Sequence, residues 1–148
     1  MTRIDFYFNA PDKNELACKI ATKAFRQSMR VAVYAPDDAD ARSVDRMLWM
    51  LAPTGFVPHC RAGSPLAAET AVVIAVDIDT LPEADLLVNL GSEPPAAFGR
   101  YLRLVEIVSL DGADRHAARK RFRFYRDRGY EMISHDLAAE SPADTANG

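Results

Sequence analysis

Seven cations crowd one short stretch near the end of the chain. Between Asp114 and Gly129, in "DRHAARKRFRFYRDRG", stand Arg115, Arg119, Lys120, Arg121, Arg123, Arg126 and Arg128, seven of the 18 lysines and arginines among 148 residues. Phe122, Phe124 and Tyr125 are interleaved with them. Guanidinium groups grip carboxylates through charge-assisted, often bidentate bonds, and a ring beside them adds an apolar wall. Read as a helix, the run places Arg115, Arg119, Phe122 and Arg126 along one face, with Arg119 and Arg123 one turn apart. That arrangement suits a short acidic peptide ending in an apolar residue. The ordinary alternative is a solvated helix whose late cations complement its dipole.

Other candidates for chemistry are thinner. His59 and Cys60 are adjacent, but a metal site needs about four converging ligands, and His116 and His135 lie far off in sequence. His59 is therefore expected to hydrogen-bond a turn, and Cys60 to pack as a small hydrophobe. Asp77, Asp79, Glu83 and Asp85 form an acidic patch. Such carboxylates can bind a divalent cation or share a proton. Without a cationic or histidine partner they read as a solvated loop. Ser64 in "AGSPL" lacks the glycine-flanked elbow of a serine nucleophile. No phosphate-cradling glycine loop occurs, and "NAPDKNE" after the first apolar run holds no glycine. No catalytic residue, metal or cofactor is expected. The competing reading, a small nucleotide- or phosphate-dependent α/β enzyme, would require such a loop.

The elements that position these residues alternate between strand and helix. Strands are expected at 3–8, 30–35, 71–76, 85–90, 102–110 and 130–134, with "GFVPH" (55–59) as a short edge strand because Pro58 donates no hydrogen bond. Along 102–110, Leu102, Leu104, Glu106 and Val108 share one side. Helices are expected over 15–28, capped by Asp12, over 36–51, over 111–129 and, briefly, within 91–101. Gly129 suits the left-handed position closing the cationic helix. The pattern predicts a single α/β domain over 1–135, a mostly parallel sheet flanked by helices on both faces. Residues 136–148 form a small acidic tail expected to be disordered.

A formal net charge of -3 does not suit a protein that coats nucleic acid, so any DNA contact is expected to run through a protein partner. "AVVIAV" is far too short to cross a bilayer, and the first residues carry no apolar core of signal length. No membrane contact is expected. The expected location is the cytoplasm, with Cys18 and Cys60 as free thiols.

"LWMLAPTGFVPH" (48–59) sets a tryptophan at a helix end, then a proline, then "FVPH". With "FYF" in the first strand and "ARKRFRFYRDRGY" (118–130), it resembles the chi subunit family of the bacterial DNA polymerase III holoenzyme, over nearly the whole chain to about Ser134. The resemblance implies a fold related to nucleotide-binding domains but lacking the phosphate loop. It implies a non-catalytic adaptor that joins the clamp loader through a psi subunit, or through another clamp-loader component where psi is lacking, and holds the acidic C-terminal tail of single-stranded DNA-binding protein (SSB). Carried over by position, the tail site falls on Val108, Arg119, Phe122 and Arg123. The family has a tyrosine where this chain has Phe122, and often a lysine where it has Arg123. Trp49 and Phe56 would face psi, although large aromatics ordinarily pack in a core. The loops near 77–84 and after "FVPH" do not resemble the family.

Overall fold

Short, fully apolar runs can be strands only where both faces are covered, and the fold gives them that cover. The computed structural model describes residues 1–50 and 56–139. Its strands are β1 (Arg3–Ala10), β2 (Val31–Tyr34), β3 (His59–Arg61), β4 (Val72–Ala75), β5 (Leu86–Asn89), β6 (Arg103–Ser109) and β7 (Met132–Asp136). They form one sheet in the order β3-β4-β2-β5-β6-β1-β7, and every pairing is parallel. Three helices connect them: α1 (Lys13–Arg26), α2 (Asp38–Met50) and α3 (Gly112–Asp127).

The alternation along each strand sorts its side chains between two cores. On one face, Ala17, Ala21 and Ala24 of α1 and Val44 and Leu48 of α2 pack on Val33, Ile74, Val88, Val105 and Ile107. On the other, Ala118 and Tyr125 of α3 pack on Ile4, Phe6, Leu104 and Val108. Helices therefore cover both faces, two against one, and short 3-10 turns at 78–80 and 98–100 help cover the α3 side.

Local chemistry sets the ends. Asp12 caps α1 by accepting the amide of Glu15 at 3.1 Å, and Asp111 caps α3 by accepting that of Asp114 at 3.2 Å. Gly129 follows α3 at φ +79°, a backbone position costly for any residue with a Cβ. Three expectations need correction. The edge strand is 59–61 and not 55–59, because Pro58 precedes it without an N–H to pair. Residues 91–101 form turns and a 3-10 turn in place of a short helix; Pro94 and Pro95 disfavour a helical path into them. The last strand runs two residues later than expected. Leu51 and Gly55, within the expected second helix and edge strand, lie outside the described residues. Of the tail, Asp136 closes β7 and Leu137 donates its amide to Phe8 O at 3.1 Å. Residues 140–148 lie outside the described residues.

Candidate functional site

α3 is fastened to the sheet by a buried polar cluster. Glu106 on β6 and Arg121 on α3 are 0% and 1% exposed. Arg121 Nε donates to Glu106 Oε1 at 3.0 Å, the Tyr125 hydroxyl donates to Oε2 at 2.5 Å, and Asn89 Nδ2 reaches both oxygens at 3.0 Å. Arg121 Nη1 donates to Ser92 O at 3.0 Å, and Gly91 N donates to Asn89 Oδ1 at 2.9 Å. Asn89 and Glu106 stand side by side across β5 and β6. Burial pushes the Glu106 carboxyl above its ordinary range, opposed by the Arg121 charge and the surrounding donors. The Tyr125 phenol is pushed up by burial first and by Glu106 second. Sequence reasoning counted Arg121 among the run's seven cations without setting it apart. Its spacing carried the contrary signal: Ala118, Arg121 and Tyr125 form one helical stripe, and that stripe is the buried one.

Two positions away the face turns outward. Arg119 and Arg123 are exposed, and neither has a hydrogen-bond or ion-pair partner among the described residues. Phe122 lies between them, half-buried, its ring edge-on to Phe6 at 5.4 Å. Val108, 4% exposed on β6, belongs to the same apolar cluster. Val108 thus lies inside the apolar cluster against which Phe122 packs, and the exposed Arg119 and Arg123 stand to either side of Phe122 along the helix. The helix's later cations are already engaged. Arg128 lies over the Phe124 ring at 3.5 Å, and Arg126 sits 3.5 Å from Asp127.

Trp49 and Phe56 form a second, separate patch. Each is 59% exposed, with ring centroids 5.0 Å apart, and Met50 beside them is exposed too. Core packing, the ordinary reading of such residues, does not hold here. Behind them the buried His59 ring meets Trp49 edge-on at 4.7 Å, its Nδ1 2.8 Å from Val57 O. Asp45 Oδ1 stands 3.5 Å from Nε2, an ionic contact for a protonated ring but not a hydrogen bond in this geometry. This patch borders β3 at one end of the sheet, while Phe122 covers β1 near the other.

The remaining candidates are taken up locally. Ser64 Oγ accepts the Leu66 amide, Asp77 that of Asp79, and Asp85 that of Arg30. Cys60 packs half-buried against the α3-side core. Buried Cys18 has its thiol pushed up to about 12, by burial first and by Asp12 and Glu15 next. At the start of α1, where related folds cradle phosphate, Asp12 spends its carboxylate on the helix and Lys13 pairs with Asp114 at 3.1 Å. The adjoining cleft is lined by Asp12 and Asp40 together with Lys13 and Asn14, whose polar ends already meet Asp114 and Asp40.

The family model described as "DNA polymerase III chi subunit, HolC" matches residues 1–133. The chain belongs to the chi family. The DNA polymerase III chi subunit of Pseudomonas aeruginosa is 36% identical over 141 residues, 93% of this chain and 98% of that one. The chi subunit of Haemophilus influenzae is 28% identical over 83% of this chain and 86% of its own. Chi is an accessory subunit of the replicative polymerase, which gives this chain a role within the polymerase complex. Among solved structures, yeast Dbp5 bound to Gle1 and IP6 matches with a TM-score of 0.64 and 11% identity. That match spans 97% of this chain but 44% of the yeast chain, and it shows the fold alone. Among the described residues, no helix of this chi protein is long and apolar enough to cross a membrane.

Proposed function

We propose that this chi protein is a non-catalytic adaptor joining the clamp loader, through a psi-like subunit, to the acidic C-terminal tail of SSB. The observation that carries the reading is the pair Arg119 and Arg123: exposed, one turn apart, without a partner among the described residues, and to either side of the half-buried Phe122 in the helix. Unpaired guanidiniums bind carboxylates at little cost in broken contacts. Each such bond contributes about 1.5–3 kcal/mol. Val108 and Phe122 supply the apolar wall for the tail's last side chain. The ring wall survives the replacement of the family's tyrosine by Phe122, and the charge survives at Arg123. The exposed Trp49–Phe56 pair supports the psi-facing role, because paired exposed aromatics are the usual anchors of a protein interface. DNA contact is indirect in this account, through SSB.

Calorimetric titration with a synthetic acidic peptide ending in Asp-Phe tests the reading. Affinity is expected to fall with rising salt and to drop about tenfold or more in Arg119→Glu. Equal affinity in wild type and variant would remove Arg119 from the site.

A further inference from the structure

Of the three histidines, His59 alone has its ring fully buried, its side chain 0% exposed at the corner of α2 and β3. A carbonyl oxygen can only accept, so the Nδ1 that lies 2.8 Å from Val57 O carries a hydrogen. In a neutral ring the other nitrogen, Nε2, is then a bare lone pair. Nε2 is buried, makes no hydrogen bond, and stands 3.5 Å from the Asp45 carboxylate. Two acceptors facing each other repel. A proton on Nε2 turns the same contact into an ion pair.

The charges around the ring are few. From α2, Asp45 meets it, and Asp45 makes no other hydrogen bond or ion pair among the described residues. Asp38 of the same helix is taken by Arg42 and by Arg61 of β3. β4 sets apolar Val72 beside His59. The Trp49 and Phe56 rings lie 4.7 and 6.1 Å away. Asp45 and Trp49 are four residues apart and share a face of α2. Asp45 keeps 36% of its side chain exposed beside the exposed indole. A partner that covers Trp49 and Phe56 covers Asp45 as well, and a carboxylate buried without a counter-ion is costly.

We propose that His59 is a proton-dependent positioning residue of the Trp49–Phe56 surface. Proton uptake from solvent at Nε2 closes the ion pair with Asp45, and the surface docks its partner in that form. The proposal rests on the reading of this surface as psi-facing. Docking then takes up a proton, so affinity rises as pH falls through the titration of His59.

Trp49 is the chain's only tryptophan, so its emission reports on this corner alone. An adjoining imidazolium quenches indole emission by accepting an electron from the excited ring, and a neutral imidazole does not. Emission of the full chain is followed between about pH 8 and pH 5, with imidazole nitrogen NMR in parallel. Trp49 emission is expected to fall in one step as Nε2 gains its proton, with Nδ1 protonated throughout. Asp45→Asn tests the pair without touching the buried ring and is expected to carry the step to lower pH. His59→Gln is expected to abolish it. A step unchanged in Asp45→Asn, or an Nε2 that gains no proton while the fold persists, overturns the proposal. Calorimetry with a purified psi-like subunit is expected to show affinity rising about threefold or more from the upper to the lower arm of the step, and Asp45→Asn to lose that dependence. Equal affinity on both arms overturns the proton linkage and leaves the psi-facing reading intact. A psi-like subunit that binds on neither arm overturns both.

Discussion

Arg119 and Arg121 stand two residues apart and have opposite environments. Arg121 is a structural ion, paired with Glu106 inside the protein. Removing one partner of a buried pair strands the other, so Arg121→Ala is expected to cost about 3–5 kcal/mol in urea denaturation. Arg119→Ala, with no described partner to lose, is expected to stay within about 0.5 kcal/mol of wild type. Asp114 adds a pH dependence. Burial works against its charge, but the Ser109 amide and Lys13 outweigh burial and hold its carboxyl below the ordinary 3.8. A depressed carboxyl contributes stability above its unfolded value and loses it as pH falls through the folded one. The stability gap between wild type and Asp114→Asn, measured by denaturation at several pH values, is therefore expected to be full at neutral pH and to close in acid. The residue types at the candidate site were legible in the sequence. Which arginine is buried was signalled only by helical phase, Arg121 matching Ala118 and Tyr125, and the seven interleaved cations masked that signal.

At the scale of elements, α3 sets the geometry of its outer face through its ends and its buried stripe. Asp111→Ala removes the cap and is expected to lower stability by about 1 kcal/mol in the same assay. Helix positions were readable because polar caps, apolar spacing and Gly129 agree with one another. The strands were readable because their apolar runs are short and bounded by turns. Two of the three misplaced elements share a cause in proline: Pro58 delayed the edge strand, and Pro94 and Pro95 disfavour the expected short helix. The strand order was not readable at all, since it depends on which crossovers bury the runs. That order is what sets β1 and β6, with Phe6 and Val108, beneath α3.

At the scale of the molecule, the two candidate surfaces sit at opposite ends of one rigid sheet. Five strand spacings separate β3 from β1, roughly 24 Å. The patches also lie with helices on opposite faces, α2 for one and α3 for the other. An adaptor built this way can hold two partners without their colliding. Trp49→Glu is accordingly expected to abolish co-purification with a psi-like subunit while leaving peptide affinity unchanged in calorimetry, and Arg119→Glu to do the reverse. The most direct test of the central claim, that α3's unpaired arginines and the apolar strip beside them hold an acidic tail, is amide chemical-shift mapping of the labelled protein during peptide titration. The account predicts salt-sensitive shifts concentrated at Val108 and at Arg119 to Arg123. Shifts clustered instead around Trp49 and Phe56, with α3 silent, would contradict it.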